Sequence, residues 1–244
     1  MTERQSQIMD LLEKEKFISV RRLSQVTFTS ESSIRRDLSD LQKRGLVRRT
    51  HGGVAAADAS NRLPPLANRM EKNPMQKRLI AKRASAFLQD GQVVMLDGSS
   101  TAGFLVPYLA QRQGIVLYTN NMNTALQAIE SGVETHCIGG CSVNRSAALA
   151  GEEAYRALES LRPDLLFFSS QSLDAEGNIT DSNIQENHLR LKMLEGARRK
   201  IFLCDSEKFN RSSTYFLTNL SHLDGAVFDT AWSPVAGLCP KMLP

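Results

Sequence analysis

Six short, mostly apolar runs, Val93–Leu96, Ile115–Tyr118, Thr135–Ile138, Leu165–Phe168, Ile201–Cys204 and Ala226–Phe228, are separated by segments long enough to hold helices. A strand with one wet face alternates apolar and polar residues, whereas one covered on both faces does not need to. Parallel neighbours also need crossover connections, usually helical. The spacing therefore predicts an α/β domain from Gln76 onward, with a mostly parallel, Rossmann-like sheet buried on both faces. The run Leu79, Ile80, Ala84, Phe87 and Leu88 reads as its first covering helix.

The pattern before Gln76 is different. Ile8, Leu11 and Leu12 share one face of a first helix, and Phe17 and Ile18 are read as the turn that closes it. Ser19 is placed to cap a second helix carrying Leu23 and Val26. In a third helix Ile34, Leu38 and Leu41 recur at i, i+4 and i+7 and face a core, while Ser32, Arg36, Ser39 and Lys43 point away, with Ser33 and Arg35 on the flanks. Gly45 suits the helix end, and Leu46–Val54 reads as two strands around a basic tip carrying Arg48, Arg49 and His51. These are the parts of a winged helix-turn-helix over residues 1–57. A linker is expected over 58–74, where periodicity is lost and Pro64, Pro65 and Pro74 fall, leaving 75–244 as the larger domain.

Charge divides the same way. Residues 1–62 hold 12 Lys and Arg against 8 Asp and Glu, and residues 63–244 hold 18 against 18. The excess of +4 thus sits in the first quarter, which points to an anionic partner there. An α-helix fits the major groove of B-DNA, and arginines and lysines supply the phosphate contacts that dominate affinity. Candidate DNA-binding residues are Ser32, Ser33, Arg35, Arg36 and Lys43 on the third helix, with Arg48, Arg49 and His51 on the wing; the plainer reading, in which Arg35, Arg36, Arg48 and Arg49 only solvate a surface, stays open at this point. Asp37 cannot favour DNA directly, so an ion pair that orients an arginine or the first helix is expected of it.

No run approaches the roughly 20 apolar residues of a membrane span, and Met1–Lys16 lacks a signal-peptide core. A cytoplasmic protein with reduced thiols at Cys137, Cys141, Cys204 and Cys239 is expected. A zinc site at His136-Cys137 is disfavoured, because strand alternation sends the two side chains to opposite faces. Nothing calls for a cofactor.

In open parallel sheets, ligands bind beyond the carboxyl ends of the strands. Polar segments occur at those ends: Asp97-Gly98-Ser99-Ser100-Thr101, Thr119-Asn120-Asn121, Gly139-Gly140 and Asp205-Ser206-Glu207-Lys208. Each has a plainer reading, as a helix cap, a polar loop or a turn; their coincidence at strand ends favours a pocket. An anionic, polyhydroxylated ligand suits the set, with Lys208 and the helix start for phosphate, and Asp97 and Asp205 for hydroxyls. Candidate effector-binding residues are Asp97, Ser99, Ser100, Thr101, Asn120, Gly139, Gly140, Asp205 and Lys208. Cys204, next to Asp205, is a candidate lining residue.

Arg4, Ile8 and Leu12, then Ser30–Leu38, then Gly45–Gly53 closely resemble the DNA-binding signature of the DeoR family of bacterial transcriptional regulators. Asp97–Thr101 resembles that family's Asp-x-Gly-Thr-Thr loop, Thr119-Asn120 its Thr-Asn step, Gly139-Gly140 its Gly-Gly, and Asp205–Phe209 its Asp-x-Ser-Lys-Phe region. The resemblance implies a sensor domain similar in fold to ribose-phosphate isomerases that binds phosphorylated sugars or related metabolites. It also implies a repressor of sugar-catabolic genes that the effector releases. Four departures stand out. Ser33 replaces the usual Thr and removes a methyl; Ser99 replaces the loop glycine; Ser169-Ser170-Gln171-Ser172 replaces a Gly-rich step; and Glu186 is followed four residues later by Arg190 instead of Lys, a planar fork in place of a point charge.

The sequence thus predicts a DNA-binding regulator, acting as a homo-oligomer on paired half-sites. The alternative is a sugar-phosphate isomerase-like enzyme with an accessory domain, using Asp97 or Asp205 as base and Lys208 to hold phosphate.

Overall fold

The computed structural model describes residues 2–15, 17–43, 46–50, 53–56, 72–143 and 147–243. The chain divides into two compact units, residues 1–65 and 66–244.

The first unit begins with α1 (Glu3–Lys14), opened by a capping box in which the Thr2 hydroxyl accepts from the Gln5 amide and the Gln5 side chain accepts from the Thr2 amide. α2 (Val20–Val26) is capped as expected, the Ser19 hydroxyl accepting from the Arg22 amide. α3 (Glu31–Lys43) follows a tight turn. Ile8, Leu12, Leu23, Ile34, Leu38 and Leu41 close one core between the helices. Val26 is the exception, remaining 46% exposed at the end of α2.

Phe17 and Ile18 do not form a turn but, with Ser19, the strand β1 (Phe17–Ser19). It pairs antiparallel with β3 (Gly53–Ala56), which pairs in turn with β2 (Val47–Thr50), so the wing sheet has three strands in the order β1-β3-β2. Ile18 points into the core while Phe17 stays half exposed, an alternation too short to register as a period in the sequence. Gly45, which precedes β2, and the hairpin tip at His51 and Gly52 lie outside the described residues.

The turn between α2 and α3 is held by hydroxyls: Thr27 Oγ1 donates to the Leu23 carbonyl at 2.7 Å and Ser24 Oγ to the Thr29 carbonyl at 2.5 Å. Between them Phe28 adopts a left-handed φ of 51°, a conformation that costs a non-glycine residue roughly 1–2 kcal/mol.

The second unit is built on seven parallel strands: β4 (Val93–Leu96), β5 (Val116–Thr119), β6 (Glu134–Cys137), β9 (Leu165–Phe168), β12 (Arg199–Cys204), β14 (Gly225–Phe228) and β15 (Met242–Leu243), in the order β15-β14-β12-β9-β4-β5-β6. Its two faces bury separate cores. Leu165 and Phe167 of β9 join one with Val94, Leu96, Ile201 and Leu203, while Leu166 and Phe168 join the other with Met95, Phe202 and Phe228. This is the two-sided burial that the unbroken apolar runs require. The run at Thr135–Ile138 is the exception. Its strand β6 is the sheet edge and mostly exposed, and only Ile138, just past it, is buried.

Covering helices are α4 (Pro74–Ala84), the short α5 (Ser100–Gly103) and α6 (Val106–Leu109), then α7 (Met122–Glu130), α8 (Glu152–Glu159) and α9 (Ile184–Gly196). Pro74, read from the sequence as the last linker residue, opens α4, where its missing N–H costs no helical bond. Linker residues 58–71 lie outside the described residues. Two small antiparallel pieces complete the unit: the hairpin of β7 (Cys141–Ser142) with β8 (Leu149–Ala150), and a sheet in the order β10-β11-β13 from Ser172–Leu173, Asn178–Asp181 and Tyr215–Asn219. Among the described residues no helix is long and apolar enough to cross a membrane.

The chain adds strands to one side of β4 (β5, β6) and then to the other (β9, β12, β14, β15). The order therefore reverses between β4 and β9. Such a reversal leaves a crevice beyond the strands' carboxyl ends.

Candidate functional site

Two sites emerge, one in each unit. In the first unit α3 presents Ser32, Arg35 and Arg36 exposed and Ser33 half-buried. The Ser30 hydroxyl precedes the helix and bonds both Ser32 Oγ (3.0 Å) and Ser33 Oγ (3.1 Å), gathering three hydroxyls at its N-terminal end. Arg35 makes a loose ion pair with Glu31, one turn earlier, at 3.3 Å. Arg36 has no hydrogen bond or ion pair to a described residue, so its guanidinium is available to a ligand. Arg49 is exposed on β2, but one of its nitrogens (Nη2) donates to the Arg35 carbonyl at 2.7 Å. It thereby ties the wing to α3 as well as contributing charge. The side chains of Lys43 and Arg48, and all of His51, lie outside the described residues.

Asp37 does what the sequence led us to expect. It is buried and accepts a hydrogen bond from Arg4 Nε of α1 at 2.5 Å, and this bond raises the pKa of Arg4 above its ordinary value. The pair fixes α1 against α3 and leaves Arg35 and Arg36 outside it.

In the second unit the crevice between β4 and β9 is occupied by charge. Asp97, directly after β4, receives Arg190 Nε on Oδ2 at 2.8 Å. The same guanidinium meets Asp181 at 3.0 Å and Glu186 at 3.4 Å, and all four side chains are at most 4% exposed. Burial works against the Arg190 charge, but Asp181, Asp97 and Glu186 outweigh it and hold the group protonated far above its ordinary range. Three carboxylates against one cation leave the pocket rich in hydrogen-bond acceptors.

The β4 loop folds onto Asp97. Its Oδ1 accepts from the Ser99 hydroxyl (2.5 Å) and amide (3.2 Å), and Ser99 Oγ in turn accepts from the Ala102 amide and caps α5. Ser99 thus acts as the helix cap of the plainer reading, and Ser100 and Thr101 are buried behind it. Gly98 lines the crevice with Asp97, Asn120, Glu186, Leu189, Arg190 and Met193. A Cβ on Gly98 would stand 2.9 Å from Ala148 Cβ and 3.1 Å from Asn120 Nδ2. We therefore expect Gly98→Ala to destabilise the unit by about 1–3 kcal/mol through overpacking, read as a lowered urea midpoint; an unchanged midpoint would show that the loop has room.

Asn120 donates to the Leu149 carbonyl at 2.8 Å, while its own Oδ1 is buried with no hydrogen-bond partner among the described residues. Asn121 caps α7 through Oδ1 and donates to the Gly98 carbonyl at 3.1 Å, which locks the β4 and β5 loops together. Beyond β12, Asp205 is buried, and Lys208 pairs with it at 3.4 Å and donates to Ser169 Oγ at 2.9 Å. The Ser169 amide reaches Asp97 Oδ2 at 3.4 Å. Polar contacts therefore run from Arg190 through Asp97 and Ser169 to Lys208 and Asp205; of these only Asp97 and Arg190, with Asn120, line the crevice itself.

Gly139 and Gly140 are not among its lining residues. They take φ of 79° and 105° in the turn leading into β7, and Gly140 packs so closely on Ala150 that a Cβ would lie 2.6 Å from that carbonyl. Cys204, a candidate lining residue, is buried and not among those lining the crevice; its thiol donates to the Asp205 carbonyl at 3.5 Å, and burial pushes its pKa far above the usual thiol value. The residues beyond the sequence candidates are Ser169, Asp181, Glu186 and Arg190. For the last two, the Glu–Arg spacing of four was the available signal.

Residues 4–60 match the family described as "DeoR-like helix-turn-helix domain", and residues 72–230 that described as "DeoR C terminal sensor domain". Among similar proteins, the "Putative aga operon transcriptional repressor" of Escherichia coli O157:H7 is 31% identical over 231 residues, covering 93% of this chain and 86% of that one. The "L-fucose operon activator" of Escherichia coli K12 is 32% identical and covers 91% and 90%. Of solved structures, the tetrameric eIF2B-beta2-delta2 complex from C. thermophilum superposes with a TM-score of 0.50 at 12% identity, over 68% of this chain and 58% of that one. Ribose 5-phosphate isomerase A from Methanocaldococcus jannaschii gives 0.43 at 15%, the match spanning 57% of this chain and 55% of the isomerase. The seven-stranded parallel sheet and the likeness to the eIF2B complex bear out the expected α/β class.

Proposed function

The chain belongs to the DeoR family of DNA-binding transcriptional regulators, and we propose that it represses carbohydrate-metabolism genes under the control of a phosphorylated sugar or related metabolite bound in the β4–β9 crevice. As a member of that family it is a regulator and not an enzyme, which sets aside the isomerase alternative. α3 is the reading helix, with Arg35 and Arg36 directed to the major groove and Arg49 to the backbone beside it. It works in the cytoplasm and as a homo-oligomer, since paired operator half-sites call for paired helices. The uncharged stripe Met122, Leu126 and Ile129, about half exposed at i, i+4 and i+7 on α7, supports a face on which a second copy can pack without charge repulsion.

The observation that carries the effector reading is the unsatisfied Asn120 Oδ1 beside the acceptor-rich pocket of Asp97 and Glu186. A buried polar atom left unpaired costs about 1–3 kcal/mol, and a ligand hydroxyl would satisfy it. Sugar hydroxyls suit Asp97 and Asn120, while a phosphate suits Lys208, whose side chain at 22% exposed is the more open of the two cations. Arg190 is already committed to three carboxylates. A ligand that binds one conformation of the regulator more tightly than the other shifts its DNA affinity by that difference.

A panel of phosphorylated and unphosphorylated sugars tests this. A matching sugar phosphate at 100 times its Kd raises stability by about 2.7 kcal/mol and lowers duplex binding. A panel in which no phosphorylated sugar stabilises the chain contradicts the effector assignment.

A further inference from the structure

The turn between α2 and α3 holds a side chain that the fold does not use. Phe28 is 96% exposed, and it sits in a left-handed conformation that bulky residues rarely adopt. The turn itself is secured from either side, by the Thr27 and Ser24 hydroxyls and by the Thr29 amide, which donates to the Ser24 carbonyl at 3.0 Å. Glycine or asparagine would meet the same backbone requirement with less strain. A strained position carrying an unburied aromatic ring is therefore maintained for something outside the folded chain.

Its place in the unit says what. Phe28 lies three residues before the first residue of α3, at the end of the helix that also presents Ser32, Ser33, Arg35 and Arg36. In a helix-turn-helix the N-terminal residues of the second helix meet base edges while the first helix crosses the phosphate backbone. The connecting turn stands between those contacts. A hydroxyl-rich, basic neighbourhood suits a duplex better than the apolar face of a protein. The duplex in turn offers apolar surface in its grooves, where Phe is among the side chains that meet a thymine methyl.

We propose that Phe28 is a DNA-contacting residue whose ring packs on an apolar surface of the duplex, a thymine C5-methyl or a deoxyribose face, at the margin of the half-site read by α3. The assignment rests on the DNA-binding reading above and adds a contact to it. It involves no charge, so it adds affinity without adding a phosphate contact.

The test uses the full chain and duplexes that it enriches from a random-sequence pool. Phe28→Asn keeps a residue tolerant of left-handed φ and removes the ring, and Phe28→Leu keeps an apolar side chain. Phe28→Asn should melt no lower than the parent chain and bind the enriched duplex about tenfold more weakly, with an unchanged dependence on salt because no counterion release is lost. Phe28→Leu should retain most of the affinity. Replacing each thymine by uracil then locates the contact. A position at which the parent chain loses affinity and Phe28→Asn does not identifies the methyl, whereas a loss in Phe28→Asn with no such coupling identifies the sugar face.

Phe28→Asn binding with parental affinity and enriching the same sequences would overturn the proposal while leaving the DNA-binding reading intact. So would a variant that keeps its DNA affinity but loses self-association, which would assign the ring to a protein partner. Failure of the parent chain to enrich any sequence would instead remove the reading on which the proposal rests.

Discussion

Replacing Arg190 with alanine is expected to lower the stability of the larger unit by about 3–5 kcal/mol, the cost of breaking a buried ion cluster by removing one partner. Asp97, Asp181 and Glu186 are each at most 3% exposed, and Arg190 is the cation that reaches all three. Without it, three buried carboxylates remain with like charges converging on one place. Against a total stability of roughly 5–15 kcal/mol for a domain, that loss is large. Arg190→Lys restores the charge but not the fork. One ammonium cannot bond three carboxylates in the directions of Nε, Nη1 and Nη2, so an intermediate loss is expected. Trp232, the chain's one tryptophan, stacks on Phe209 at 4.6 Å in the same unit, and its fluorescence in a urea titration reports the unfolding. A midpoint unmoved by Arg190→Ala would mean that the cluster is solvated rather than buried.

The second large effect belongs to Arg36. Its guanidinium has no described partner, in contrast to Arg35 with Glu31, and it projects from a helix whose opposite face is locked by Ile34, Leu38 and Leu41. A side chain so placed has its hydrogen-bonding capacity available for a guanine edge, where one bidentate contact contributes about 1–3 kcal/mol of discrimination. Arg36→Ala is therefore expected to weaken binding to a preferred duplex by about 1–3 kcal/mol while changing binding to random duplex far less. Arg36 takes no part in the Arg4–Asp37 pair that orients α1 against α3, so the fold of the unit should be unaffected.

Much of this arrangement was legible in the chain because its causes are local. Ile34, Leu38 and Leu41 recur with the helical period, Ser19 has the chemistry of a cap, and the residues of β9 are apolar at every position because both sheet faces are covered. What was not legible depends on contacts distant in sequence or on elements too short to have a period. Phe17–Ser19 becomes a strand only because β3 lies beside it. Thr135–Ile138 has the composition of a sheet strand, but being at the edge is a property of topology. The two-residue strands β7, β8 and β10 gave no signal at all. In the crevice, Asp97 was evident as a polar residue after an apolar run, whereas its partner Arg190 is 93 positions away. The Glu186–Arg190 spacing marked a pair on one helix face without revealing that two further carboxylates converge on it. Gly139 and Gly140 show the converse: a motif at a strand end that serves the turn leading into β7.

That α3 reads a duplex is decided by the affinity of the full chain and of Arg36→Ala for an enriched duplex across a salt series. Affinity of the parent chain should fall steeply and linearly on a log–log plot as phosphate contacts are screened, with Arg36→Ala weaker throughout. Equal affinities for the two chains, or binding that is indifferent to salt and to sequence, would contradict it.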